Sequence, residues 1–164
     1  MFKKVALIAV AGIALISGAA NAAQVSDNMT VTADITGTCT LSSAATLNFG
    51  INTSTGSNID AQQNISVNCT NGVDYTIGMN TGANALGLVR RMASGANFMT
   101  YDVYTAATRA GAESVATVGT AAPANFIGTG TGAAQTITVF GRVPSQSTPP
   151  VGTYTDTLVV TLQY

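Results

Sequence analysis

Residues 24–35 can be read by parity, because Val25, Met29, Val31, Ala33 and Ile35 are apolar while Gln24, Ser26, Asn28, Thr30, Thr32 and Asp34 are polar. Only Asp27 breaks the pattern. A period of two puts one set of side chains on one face of an extended strand, so the segment predicts a strand with an apolar face that wants covering. At ~3.3 Å per residue it reaches about 40 Å, the length of a small sandwich. Such a strand either pairs inside its own domain or leaves it to complete another sheet, and at this point both readings stand.

After Gly37 the chain is a series of short extended segments divided by Gly, Asn, Ser and Pro, with no run at helical spacing. That pattern predicts an all-β sandwich. Residues 46–51 place Leu47, Phe49 and Ile51 on one face, and a polar loop follows at 52–58. Residues 64–69 alternate through Ile65, Val67 and Cys69, Asn71 and Gly72 offer a two-residue turn, and the period resumes through Val73, Tyr75, Ile77 and Met79. The expectation is a β-hairpin with Cys69 on its inward face and the strand near Cys39 lying across the core. Residues 85–92 and 98–105 predict two strands around a turn at 94–97, and the glycine-rich stretch 111–132 predicts mostly loop. A strand at 136–143 is followed by Pro144, Pro149 and Pro150, which suit an exposed connection. The last strand, 154–164, sets Leu158, Val160, Leu162 and Tyr164 on one face.

The beginning of the chain changes the setting of the first strand. Lys3 and Lys4 precede an apolar run over 5–16, and Ala20-Asn21-Ala22 has the small-x-small form of a signal cleavage site. Residues 1–22 therefore predict a secretion signal, and the mature chain is expected to begin at Ala23, with the alternating strand at its new end. The run is too short to span a bilayer of about 30 Å, so no membrane span is expected.

Residues 23–164 have the length of one domain, and their composition shows no break that would mark two. Both lysines fall in the signal, so the mature chain sets four scattered arginines (Arg90, Arg91, Arg109, Arg142) against seven acids, a net charge of −3. That balance makes nucleic acid an improbable partner. Two cysteines in an exported chain favour a Cys39–Cys69 disulfide.

Little points to catalysis. The chain has no His, and its acids stand singly, so a Ser-His-Asp triad is impossible. A carboxylate pair such as Asp102 with Asp156 could meet in space, and two solvated or hydrogen-bonded loop acids is the better reading of them. A close Cys pair and His are both missing, so no metal site and no cofactor are expected. Gly128, Gly130 and Gly132 lack the following Lys and the helix of a phosphate loop and read as a surface turn. Asn28, Asn52, Asn64 and Asn68 each open an N-x-Ser/Thr triplet, as chance provides in a chain rich in Asn and Thr.

Five pieces taken in order carry a family resemblance: the cysteine after the first strand, Leu47-Asn48-Phe49-Gly50, Ile65-Ser66-Val67-Asn68-Cys69, Tyr101-Asp102-Val103-Tyr104, and Gly152-Thr153-Tyr154-Thr155-Asp156-Thr157-Leu158 leading to a terminal aromatic. Together they resemble the spore coat protein U domain, in the form of the major pilins of archaic chaperone–usher pili of the Csu and CupE type. The likeness runs over the whole mature chain. It implies an incomplete immunoglobulin-like β-sandwich over 37–164, held in the periplasm by a chaperone. At an outer-membrane usher the sandwich is then completed by the donor strand, 23–36, of the next identical subunit. The resemblance makes Met29, Val31, Ala33 and Ile35 the groove-filling residues, with Val25 as a fifth and Asp27 at a wet groove end. It makes Leu158, Val160, Leu162 and Tyr164 the strand that borders the groove and meets the chaperone. Because the mature chain has no Lys, Lys–Asn isopeptide cross-links are excluded and non-covalent strand exchange is left.

Two other readings stay open. One is a secreted binding module, for example a lectin-like sandwich with its N-terminal strand paired in cis; the other is a spore or cyst coat protein built on the same domain.

Overall fold

Two sheets and a hairpin account for the strands of the computed structural model, which describes residues 23–42, 46–111, 114–116 and 125–164. The signal assigned to 1–22 lies outside the described residues. The chain divides into two units, 1–34 and 35–164. In the first, residues 23–34 are exposed and in no strand.

In the second unit the strands are β1 (Cys39–Ser42), β2 (Ile59–Cys69), β3 (Asp74–Met79), β4 (Arg91–Ser94), β5 (Asn97–Thr100), β6 (Asp102–Tyr104), β7 (Phe126–Thr129), β8 (Ala134–Val143) and β9 (Val160–Gln163). One sheet has the order β1-β2-β8-β6 and the other β7-β3-β9, with every pairing antiparallel. The core follows the parity read from the sequence. Ile65, Val67 and Cys69 of β2, Tyr75, Ile77 and Met79 of β3, and Val139 and Val143 of β8 are buried. Fully burying a side chain such as Val67 or Ile77 contributes about 1.5–3 kcal/mol.

The expected hairpin at 64–79 does not form, because β2 and β3 belong to different sheets. Val73 N donates to Thr70 O at 3.1 Å, so residues 70–73 do form a turn. A twist-compatible type I′ hairpin needs positive φ at both central residues, and here only Gly72 has it, at 83°. The turn instead carries the chain from one sheet to the facing one. The true two-residue hairpin is β4–β5, where Ser94 pairs with Asn97 and Gly95 takes φ 59° at the first central position.

The same topology corrects the disulfide's place. Cys39 and Cys69 are joined, but as direct partners on adjacent strands β1 and β2, with Cα atoms 4.0 Å apart. The link therefore fastens the edge of one sheet and does not cross the core.

Besides residues 24–35, which are in no strand, and 154–164, of which only Val160–Gln163 is strand, three segments depart from expectation. Residues 46–51 are in no strand: Leu47 and Phe49 pack on the core, but Gly50 at φ 78° turns the chain and leaves Ile51 fully exposed. In 85–92, Leu86 and Val89 close a tight turn through Gly87, and only Arg91 and Met92 are strand. Within 111–132, β7 forms where loop was expected, while residues 112–113 and 117–124 lie outside the described residues. Gly128 is required in β7 because a Cβ there would lie 2.5 Å from Tyr75 Oη.

Candidate functional site

The three-stranded sheet ends abruptly at β9. Ala93 and Thr155 exchange backbone bonds of 2.9 and 3.0 Å, Ala83 N donates to Thr157 O at 3.1 Å, and Asn80 N donates to Val159 O at 3.1 Å. Asn80 Oδ1 also accepts the Val159 N–H at 2.8 Å. Residues 155, 157 and 159 thus turn their backbone groups toward β4 and β3. Ladder alternation then directs those of Val160 and Leu162 the other way, to an edge that no described strand covers. On that parity the side chains of Leu158, Val160 and Leu162 are half-buried and face the core.

Natural edge strands are usually blunted by Lys, Pro or a bulge, and Val160–Gln163 carries neither Lys nor Pro. Beside it opens a cleft of about 1080 Å³. Its lining includes Leu47, Phe49 and Thr55, Tyr154, Leu158 and Val160, and the buried core residues Ile65, Met79, Val139 and Val143. The interior of the sandwich is therefore reachable at this end. The lining residues 53–55 are fixed by polar bonds: Gln146 N donates to Thr55 O at 2.9 Å, and Thr55 Oγ1 donates to Gln146 O at 3.0 Å.

Asp156 is the cleft's one carboxylate. It accepts the Tyr101 hydroxyl at 2.6 Å and the backbone and side-chain amides of Asn84 at 3.0 and 3.1 Å. Burial first, and Asp156 second, push the Tyr101 phenol well above its ordinary pKa. Asp102 does not share this site; it binds Arg90 and Ser114 behind the cleft. Both acids are thus hydrogen-bonded anchors. Among the described residues no group of three or more His, Cys, Asp or Glu could hold a metal ion.

Of the residues singled out on the last strand, Leu158 and Val160 line the cleft, Leu162 opposes Ile77 within the sheet, and Tyr164 is exposed just beyond β9. Val25, Met29, Val31 and Ile35 are all more than four-fifths exposed, Ala33 is exposed too, and none of them lies in a sheet. Parity alone missed Met92, Met99 and Tyr101 as lining, because the first two sit on short strands whose inward positions show only after pairing and Tyr101 lies between β5 and β6 in neither.

A family model described as Spore Coat Protein U domain matches residues 25–161. The chain belongs to that family. Among curated protein sequences none matches it. Among solved structures it is similar to a chain of the CsuC–CsuE chaperone–tip adhesion subunit pre-assembly complex from archaic chaperone–usher Csu pili of Acinetobacter baumannii. The identity is 20%, the TM-score 0.57, and the match covers 79% of this chain and 40% of that one. The chain thus spans less than half the length of the one it matches. The likeness is one of fold: an all-β, open antiparallel sandwich of the incomplete immunoglobulin-like kind. No helix among the described residues is long and apolar enough to cross a membrane.

Proposed function

We propose that this family member is a structural subunit of an archaic chaperone–usher pilus that serves surface attachment and biofilm formation, and that it polymerises by donor-strand complementation. The observation that carries the reading is the uncovered apolar edge of β9 beside an open cleft, in a chain whose residues 24–35 alternate and are exposed. In this reading Val25, Met29, Val31, Ala33 and Ile35 of one subunit enter the cleft of the next. Leu158, Val160, Leu162 and Tyr164 border it. Burying four such side chains contributes about 5–10 kcal/mol gross, and the added strand supplies a ladder of backbone hydrogen bonds. The joint is heterologous, so identical subunits add head to tail into a fibre and do not close a dimer.

The same edge needs cover before assembly. A periplasmic chaperone is the expected partner at that stage, supported by the chaperone–subunit complex to which the fold is similar. An outer-membrane usher then receives the subunit, and the route runs through the periplasm to the cell surface. The role is structural, not catalytic.

The test is deletion of residues 23–35. The shortened subunit is expected to bind its chaperone and add nothing to a growing fibre. Polymerisation at the normal rate would end the reading.

A further inference from the structure

Arg90 has no part in lining the cleft, yet it is buried to 5% exposure behind it. Its Nε donates to Asn80 O at 3.0 Å, and its Nη2 donates to Met79 O at 3.0 Å and Val115 O at 2.7 Å. Its Nη1 is held by the Asp102 carboxylate. Asp102 also accepts the Ser114 hydroxyl at 2.6 Å and the Val103 amide at 2.8 Å. Met79 ends β3 in the three-stranded sheet, and Asp102 begins β6 in the four-stranded one. One guanidinium therefore braces the two sheets.

The groups that Arg90 grips are those that shape the cleft. Met79 lines it, and Asn80 holds Val159 through both its amide and its side chain, immediately before β9. An apolar cleft in water is driven to shrink, because approach of its walls removes apolar surface from solvent. Closing the walls here would break charge-assisted bonds in a poorly solvated place, where they are strong. Arginine alone offers enough donors in a fixed fork to hold three carbonyls and a carboxylate at once.

We infer that Arg90 is a positioning residue: through Asp102, Met79 and Asn80 it keeps the cleft in the shape that accepts a strand before the strand arrives. The inference rests on the strand-acceptor reading of the cleft. A preorganised acceptor reveals itself in the association rate.

The experiment uses the mature chain carrying Val31→Asp in complex with its periplasmic chaperone, which covers the edge of β9 until a strand displaces it; the substitution keeps the cleft and disables the chain's own donor segment. The probe is a fluorescent peptide of residues 24–35, followed by anisotropy at a temperature where near-ultraviolet circular dichroism shows every variant folded. Adding Arg90→Met with Asp102→Asn is expected to slow association about tenfold and change dissociation by less than about twofold. Arg90→Lys, which keeps the charge but not the grip on three carbonyls, guards against a double variant that does not fold, and it too is expected to associate more slowly. Arg109 and Asp60 serve as the control. Arg109 holds the carbonyls of Gly141 and Ala61 at 3.0 and 3.1 Å and lies 3.4 Å from Asp60, yet neither residue lines the cleft. Arg109→Met with Asp60→Asn is expected to lower the melting temperature and leave association unchanged. Association of the Arg90 variants within about twofold of the parent overturns the inference while the acceptor reading stands. Failure of the parent itself to take up the peptide overturns both.

Discussion

Residues 24–35 and 154–164 share one pattern and have opposite fates. Both alternate apolar with polar positions over about six repeats of the pleat. In the second segment Leu158, Val160 and Leu162 are half-buried against the core and the backbone is paired on one side. In the first, Val31 is 84% exposed, and no residue of 24–35 is in a sheet. Alternation therefore specifies a face and says nothing of what covers it. For residues 154–164 the cover is intramolecular on one side, and on the other no described strand supplies it. That side is what makes the first segment's exposure meaningful.

The comparison breaks most sharply on a charge placed in the apolar face of the free segment. Val31→Asp is expected to abolish filaments while leaving the melting temperature of the isolated subunit unchanged, because Val31 touches water in that subunit. Pilus yield on cells, with periplasmic subunit level as the folding control, checks it. The same charge at Val160 meets a different environment: the side chain packs on the core, so Val160→Asp is expected to lower subunit stability by several kcal/mol as well as stopping assembly. Thermal unfolding of the two variants side by side separates a donor position from an acceptor position.

The smaller effects sharpen the boundaries of the two segments. Cys39→Ala opens the link that fastens β1 just after the free segment; with a separation of 30 residues it is expected to cost about 3–4 kcal/mol, read by denaturant unfolding. Free thiols in protein taken from intact cells would contradict the link. Tyr101→Phe removes the hydroxyl held by Asp156 and is expected to cost about 1 kcal/mol. The folded state raises the Tyr101 pKa, so it favours the neutral phenol. The stability this contributes is complete below pH 10, the ordinary phenol value, and is lost as pH rises above it, a loss that Tyr101→Phe should remove. Smallest of all is Thr32→Asp, beside Val31 but on the polar parity, where a surface change moves stability by less than about 0.5 kcal/mol and filaments should persist. Equal loss from Val31→Asp and Thr32→Asp would place the register one residue away from the one read here.

Much of the chain was legible by parity. Ile65, Val67, Cys69, Tyr75, Ile77 and Met79 are buried as alternation requires, and β8 spans the segment read as a strand at 136–143. Cys39 and Cys69 are joined, as two cysteines in an exported chain suggested. Arg90 was not legible. An arginine between Val89 and Arg91 looks the same in sequence whether it is solvated or buried, and only the meeting of Met79, Asn80, Val115 and Asp102 around it gives it a role.

By itself the sequence determined which residues face inward, since side-chain direction in an extended chain is a local property with a fixed period of two. Which strand lies beside which was decided only by the tertiary structure. At residues 70–73 a turn with positive φ at Gly72 alone sends β3 to the other sheet, and it is β1 that pairs with β2 and sets Cys39 directly beside Cys69. At β9 no described strand covers the outer edge, and a cleft opens beside it. The reason is physical: pairing depends on which distant backbone groups meet, and a pattern of period two satisfies any of several neighbours equally well until packing chooses among them.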